Sequence, residues 1–222
     1  MALLDGPRLP PAAGGQPRQL VVFLHGYGAE GNDLIGLGRQ WAHALPHAAF
    51  VSPHAPEPCG MAPTGRQWFN LTFREAGELS RGVAQAAPAL EAFLDAELKR
   101  HSLGSRALAL VGFSQGTMMA LGVGRARKPA PAAIVGYSGA LANLEMLPGE
   151  PSAAPAILLV HGDADTMIPV DAMFMAREAL ARAGLAVEWH VAEGVGHGID
   201  PYGLQLGGAF LRQVFAAVQV AT

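Results

Sequence analysis

A Gly-x-Ser-x-Gly pentapeptide, Gly112–Gly116, separates an apolar run that begins at Leu108 from a run of small residues and methionines, Thr117–Leu121. The first run is typical of a buried strand and the second of a buried helix. A turn this sharp brings the residues two before and two after the serine together, where a Cβ would clash. The pattern therefore predicts a strand-turn-helix unit that exposes Ser114 at the carboxyl end of a strand.

The pentapeptide alone is not decisive, because 28 of the 222 residues are glycine and chance matches are not rare. A glycine-rich turn with an incidental serine is the alternative interpretation. The rest of the chain has to distinguish the two.

Composition narrows the class of protein. Half of the residues are hydrophobic and 15% are charged, which indicates a globular domain with a large core. The net charge of −3 provides no basic surface for nucleic acid. The apolar runs are too short for stable membrane insertion, and the start of the sequence does not resemble a signal peptide. The single cysteine, Cys59, cannot form an internal disulfide. We therefore predict a cytoplasmic protein. A homodimer is compatible with the sequence.

Strand and helix patterns alternate along the chain. Short apolar runs predict strands at residues 20–24, 48–52, 108–111, 132–137, 156–160 and 187–191. Apolar residues at helical spacing predict helices near residues 34–41, 83–98, 171–183 and 204–218. This alternation predicts an α/β fold with a mostly parallel central sheet and helices on both faces. We expect one domain over residues 1–222, in which residues 1–19 are an irregular lead-in or an edge strand.

Three helix details follow from local chemistry. Asn32 or Asp33 is a natural N-cap for the first helix. Pro88 lies inside the second helical pattern, so we expect a kink there or a later helix start. Gly184 is expected to close the helix that begins at Asp171.

Residues that could form a nucleophilic triad follow three predicted strands. Ser114 follows the strand ending at Val111, two aspartates follow the strand ending at Val160, and His197 follows the last strand. Open α/β sheets bind ligands beyond these carboxyl ends. A serine needs a base to take its proton, histidine is that base near neutral pH, and a buried carboxylate orients the histidine. The chain order Ser, Asp, His is that of an α/β-hydrolase triad.

The third triad member could be Asp163 or Asp165. We favour Asp165, because the apolar stretch Thr166–Pro169 that follows it could line a pocket, and we expect Asp163 to bond to backbone. His25 and His161 are expected to bond loop backbone. A metal site made by His161 and the two aspartates lacks any HxH or HExxH spacing, so we predict no metal and no cofactor.

An ester or amide hydrolase also needs N–H donors for the oxyanion of its tetrahedral intermediate. The backbone N–H of Gln115, directly after the serine, is one candidate. The other is the N–H of Tyr27, in a loop whose glycines let the backbone turn toward the site.

Five ordered motifs resemble the carboxylesterase/phospholipase family of α/β-hydrolases, which includes acyl-protein thioesterases and small bacterial carboxylesterases. They extend from about residue 20 to residue 200 and are LHGYGAEGNDL (24–34), RQWF (66–69), GFSQG (112–116), HGDADTMIP (161–169) and GHGI (196–199). The bacterial carboxylesterase branch looks closest, on the features around Tyr27 and RQWF.

The resemblance implies a triad of Ser114, Asp165 and His197, with the N–H groups of Tyr27 and Gln115 as the oxyanion hole. It implies a minimal fold without a large cap domain and a substrate that is a short- to medium-chain carboxylic ester. Acyl-protein thioesterase or lysophospholipase activity remains an alternative, as does a non-catalytic binding protein on the same scaffold.

Two stretches are candidates for the walls of the acyl groove. One is the long loop at residues 53–73, with Trp68 as a substrate-binding residue. The other is formed by Met167 and Ile168, after the favoured aspartate. Ordinary packing is the alternative for each of these side chains.

Overall fold

The computed structural model describes residues 3–72, 75, 77–142 and 154–220. Within these residues, seven strands form the central sheet: β1 Arg8–Leu9, β2 Gln19–Leu24, β3 Ala48–Val51, β6 Leu108–Phe113, β7 Ala133–Tyr137, β8 Ala156–Gly162 and β9 Val187–Ala192. Strands β4 Glu57–Pro58 and β5 Arg66–Gln67 form a separate antiparallel hairpin.

Among the residues described, five α-helices connect or follow the strands: α1 Gly31–Trp41, α2 Glu78–His101, α3 Gln115–Ala126, α4 Asp171–Arg182 and α5 Pro201–Val220. A short 3-10 turn, Ser105–Ala107, precedes β6. In the part of the chain described, none of these helices is long and apolar enough to cross a membrane.

The strands lie in the order β1-β3-β2-β6-β7-β8-β9, and every neighbouring pair except β1 with β3 is parallel. The chain runs from β2 outward to β3 and then crosses back to β6 on the other side of β2. The connections after β2 and β6 therefore leave in different directions. A crevice at such a point of the carboxyl edge is where open α/β sheets bind ligands.

Strand β2 is buried on both faces, since Leu20 to Leu24 are all 0% exposed. Leu20, Val22 and Leu24 pack in a core with α2, α3 and α4. Val21 and Phe23 pack in a second core with α1 and α5. The predicted mostly parallel sheet with helices on both faces is thus confirmed, and the fully apolar sequence of β2 is explained by its two buried faces.

The predicted N-cap of the first helix is wrong, and of the two alternatives given for Pro88 the later helix start is not observed. Helix α1 begins at Gly31 with Glu30 as N-cap, and the Glu30 N–H donates to Asp33 Oδ2 at 2.6 Å, so neither Asn32 nor Asp33 is the cap. Helix α2 begins well before Pro88 and continues through it. The turns before Pro88 bury Val83 and other apolar residues in the core, and this packing outweighs the hydrogen bond that proline removes.

The described part of the connection between β3 and α2 contains only the β4-β5 hairpin and loops, and no helical cap domain. Residues 8–9 of the predicted lead-in form the antiparallel edge strand β1, with Arg8 opposite Val51. Gly184 follows α4 with a φ of +76°, as expected of a glycine that closes a helix.

Gly116→Ala is expected to lower the free energy of unfolding by about 1–3 kcal/mol. A Cβ at Gly116 would clash with the backbone carbonyl of Leu24 in β2, and this outweighs the gain of roughly 1 kcal/mol that alanine brings to a helix. Gly36→Ala in α1, where a Cβ would meet nothing within 4 Å, is the control and should be neutral or stabilising. Equal urea midpoints for the two variants would contradict the packing account.

Candidate active site

Ser114 lies at the sharp turn between β6 and α3, with φ 53° and ψ −116°. Few non-glycine residues adopt positive φ, and such strain is concentrated at functional sites. The Ser114 N–H donates to Tyr137 O in β7 at 2.9 Å, and a Cβ on Gly112 would clash with the backbone of Gly116. The close approach predicted from the two glycines is therefore present, and it fixes Ser114 at the carboxyl edge of the sheet.

An apolar cavity of about 580 Å³ opens beside Ser114. Its volume is in the range of pockets that take small organic ligands. The residues that line it are Gly26, Tyr27, Ala29, Met61, Asn70, Leu71, Thr72, Phe113, Ser114, Met167, Ile168 and His197. The titratable side chain of His197 and the hydroxyl of Ser114 thus share one mostly apolar cavity.

Asp165 is a buried carboxylate with partners for both oxygens. Its Oδ2 lies 2.7 Å from His197 Nδ1, and its Oδ1 accepts the N–H groups of Met167 and Ile168 at 2.8 and 2.9 Å. Burial opposes ionisation, but the hydrogen bonds from Ile168, His197 and Met167 outweigh it and hold the pKa of Asp165 below its ordinary value. The carboxylate is therefore charged at neutral pH and faces the imidazole.

His197 is held by Asp165 on one side and by an aromatic ring on the other. The imidazole and the ring of Phe113, the residue before Ser114, have centroids 5.0 Å apart. In the neutral imidazole, donation from Nδ1 to Asp165 leaves Nε2 as the proton acceptor. Among the described contacts, no hydrogen bond joins Nε2 to the Ser114 hydroxyl, although both residues line the cavity.

Two backbone N–H groups beside Ser114 have no hydrogen-bond acceptor within the described residues, those of Tyr27 and Gln115. Gln115 is the first residue of α3, where the helix dipole favours negative charge. The loop of Tyr27 is close to the serine, because a Cβ on Gly26 would lie 3.3 Å from Ser114 Cβ. Two N–H groups without a described acceptor therefore belong to the residue after Ser114 and to the loop that approaches it.

Of the side chains predicted to form the two groove walls, some line the cavity and one does not. Met167, which is 69% exposed, and the buried Ile168 both line the cavity. Trp68 does not: it is 1% exposed, and its indole N–H donates to His25 O at 3.0 Å behind the cavity. The prediction that Trp68 forms a groove wall is wrong, because a buried indole needs an acceptor and finds it in the interior.

The cavity wall on the side of Trp68 is formed instead by Asn70, Leu71 and Thr72. Phe73, the end of the loop predicted to be functional, lies outside the described residues.

The other histidines near the site bond backbone as predicted. His25 Nδ1 donates to Gly26 O at 2.8 Å and its Nε2 accepts the Ala55 N–H at 3.0 Å, while burial lowers its pKa and keeps it neutral. His161 Nε2 donates to Ile168 O at 2.8 Å. The same Nε2 lies 3.2 Å from Asp165 Oδ2, a contact that the sequence did not indicate.

Two further contacts bear on the candidates. Asp163 accepts the Gly194 N–H at 2.7 Å, as expected of an aspartate that bonds backbone. In the ranges that the structure describes, no group of three His, Cys, Asp or Glu side chains is arranged to hold a metal ion.

The side chain of Gln115 is a further part of the site that the sequence did not indicate. It is fully buried against the loop of Trp68.

Comparisons with known proteins place the chain among hydrolases. The model of the phospholipase/carboxylesterase family matches residues 12–215. Esterase YpfH of Escherichia coli K12 is 32% identical over 195 residues, covering 88% of this chain and 82% of that protein. The crystal structure of esterase PE8 matches with a TM-score of 0.90 and 40% identity, covering 96% of this chain and 100% of that one. Acyl-protein thioesterase 1 of Gibberella zeae is 26% identical, covering 90% of this chain and 92% of that protein.

Asp165→Asn is expected to lower the free energy of unfolding by roughly 1–3 kcal/mol at neutral pH, because it removes a charged acceptor from buried donors. The folded-state pKa of Asp165 lies below its ordinary value of 3.8, so its contribution is present above that pH and lost as the pH falls through the lowered value. The difference between wild type and variant in urea unfolding should therefore shrink below about pH 4.

The exposed neighbour offers a matched control for this experiment, since Asp163→Asn removes an equal charge two residues away. A stability difference for Asp165→Asn that stays constant from pH 7 to pH 3 would contradict the proposed network around Asp165.

Proposed function

The chain belongs to the phospholipase/carboxylesterase family of α/β-hydrolases, and from this premise we propose that it hydrolyses short- to medium-chain carboxylic esters through Ser114, His197 and Asp165. The observation that carries the proposal is the apolar cavity that is lined by both Ser114 and an aspartate-bound histidine. The backbone N–H groups of Tyr27 and Gln115, which have no acceptor among the described residues, support it.

The reaction begins with attack of Ser114 Oγ on the ester carbonyl carbon. His197 Nε2 accepts the hydroxyl proton as the C–O bond forms, which requires the ring and the hydroxyl to approach when substrate binds. Asp165, ionised and bonded to Nδ1, stabilises the imidazolium without taking its proton. The carbonyl oxygen becomes an oxyanion.

The N–H groups of Tyr27 and Gln115 bind this oxyanion. Donors of this type are each worth about 10²–10³ in rate in enzymes where one has been removed. Collapse of the tetrahedral intermediate breaks the bond to the alcohol oxygen, which takes the proton from His197. A water molecule then attacks the acyl-enzyme with His197 again as base, and the acid and free Ser114 result.

The acyl chain extends along the apolar part of the cavity, against Leu71, Met167 and Ile168. About 0.8 kcal/mol per buried methylene corresponds to roughly a fourfold gain in kcat/KM per methylene while the chain stays in the cavity. A cavity of about 580 Å³ sets the limit at which longer chains gain nothing more.

Acyl thioesters are the second candidate substrates. The similarity to acyl-protein thioesterase 1 of Gibberella zeae over 92% of that protein favours them, and the same nucleophile and oxyanion donors would serve a thiol leaving group. Lysophospholipids fit the same chemistry. Esters, thioesters and lysophospholipids that carry the same acyl chain can be ranked as substrates by their values of kcat/KM.

Ser114→Ala is expected to lower kcat for ester hydrolysis by about six orders of magnitude, the scale seen when a triad nucleophile is removed. Its thermal unfolding should stay close to that of wild type, since the hydroxyl has no described hydrogen bond to His197. Ser105→Ala, a buried serine in the 3-10 turn, is the control and should keep full activity. Undiminished turnover by Ser114→Ala would contradict Ser114 as the nucleophile. Failure of a fluorophosphonate to label wild-type Ser114 would favour a non-catalytic binding protein.

Met167→Ser is expected to lower kcat/KM for a hexanoyl or octanoyl ester several-fold more than for the acetyl ester of the same alcohol. The substitution removes apolar surface from the wall that only the longer chains reach. Met175→Ser changes a methionine of similar exposure that does not line the cavity, and its chain-length profile should match wild type. Identical profiles for the two variants would contradict the placement of the acyl chain.

A further inference from the structure

The segment Arg66–Phe69, here called the bridging segment, contacts both loops that supply the oxyanion donors. Its first residue pairs with the Tyr27 loop: the Gly28 N–H donates to Arg66 O at 2.9 Å, and the Arg66 N–H donates to Ala29 O at 2.8 Å. These bonds hold the chain directly after Tyr27.

Trp68 holds the chain directly before Tyr27. Its indole N–H donates to His25 O at 3.0 Å, and its ring packs on the His25 imidazole with centroids 5.7 Å apart. The bridging segment therefore bonds the Tyr27 loop on both sides of the residue whose N–H is the proposed donor.

The same tryptophan bonds the second donor residue through its main chain. The Trp68 N–H donates to Gln115 Oε1 at 3.0 Å, and Gln115 Nε2 donates to Phe69 O at 2.8 Å. The Gln115 side chain is fully buried and carries both bonds, so it cannot exchange them for water without opening the core. Trp68 thus connects the loop of one N–H donor to the residue that supplies the other.

We propose that Trp68 is a positioning residue for the oxyanion hole, which fixes the distance between the Tyr27 and Gln115 N–H groups. The inference rests on the proposed hydrolase function. It assigns to this tryptophan a role in stabilising the transition state, in place of the substrate contact that its sequence position suggested. A displacement of about 1 Å at a catalytic group can cost about 10²-fold in rate, so loss of one bond in this connection has a measurable effect.

Trp68→Phe removes the indole N–H and keeps an aromatic ring. The expected result is a roughly ten- to hundredfold lower kcat on an acetyl ester with KM within about twofold of wild type. The Kd of an alkylboronic acid, whose tetrahedral and negatively charged serine adduct places a boron-bound oxygen at the oxyanion position, should rise by a similar factor. Partial unfolding would instead lower the active fraction and leave this Kd unchanged.

Trp41→Phe is a matched control. Trp41 is also buried, at 3% exposure, and its indole N–H also donates to a backbone carbonyl, Leu204 O at 2.9 Å, but in the core between α1 and α5. Its loss should lower stability and leave kcat and the boronic acid Kd unchanged. If Trp68→Phe behaves like Trp41→Phe, the positioning role is overturned.

Gln115→Met removes the two side-chain hydrogen bonds to Trp68 and Phe69 and keeps the backbone N–H of residue 115. This variant tests the positioning role if Trp68→Phe does not fold. It should raise the boronic acid Kd in the same way, and an unchanged Kd would overturn the proposal. A wild-type protein that hydrolyses no ester and binds no boronic acid would overturn the proposed function itself. Hydrolysis by wild type with an unaffected Trp68→Phe variant would overturn the positioning role alone.

Discussion

The site depends on a backbone contact that only glycine permits. Gly116, in the first turn of α3, packs against the carbonyl of Leu24 at the end of β2, and Gly112 packs against Gly116. Because no side chain separates them, β2 and β6 end side by side, and the loops that leave them meet. Ser114 on one loop and Tyr27 on the other are therefore neighbours, although 87 residues separate them in the chain. Positive φ at Ser114 is a local cost of this geometry, and the surrounding sheet holds it in place.

The elements of the fold could be predicted from the sequence because each has a local signal. Leu20–Leu24 is apolar at every position, since both faces of β2 are buried, and the aspartate and histidine candidates lie within five residues of the ends of β8 and β9. Local signals failed where a distant contact decides the outcome. The apolar spacing that begins at Val83 indicates a helix through Pro88, whereas the proline favours a kink or a later start. Packing of Val83 against the core decides that the helix begins before Pro88.

Trp68 illustrates the same limit within the site. An aromatic residue in a long loop near a predicted cavity resembles a ligand contact in sequence, but its indole N–H needs an acceptor. The acceptor is His25 O, 43 residues away, and the backbone partner is the side chain of Gln115. Gln115 itself was identified only for its N–H, because the motif around Ser114 specifies a backbone donor after the serine and no role for the side chain. Polar pairs that join distant loops have no periodicity or spacing by which the sequence could reveal them.

Asp165 bonds both to His197, the base of the proposed reaction, and to the part of the cavity wall formed by Met167 and Ile168. One carboxylate oxygen faces His197, and the other accepts the N–H groups of Met167 and Ile168, two residues that line the cavity. His161 bonds Ile168 O and contacts the same carboxylate, so the wall is held from two directions. The ionised carboxylate of Asp165 therefore orients the imidazole and holds the part of the cavity wall that we propose for the acyl chain. Asp165 is better suited than the neighbouring Asp163 to orient the imidazole of His197. Among the described contacts, the exposed carboxylate of Asp163 bonds only the Gly194 loop and reaches neither the imidazole nor the cavity.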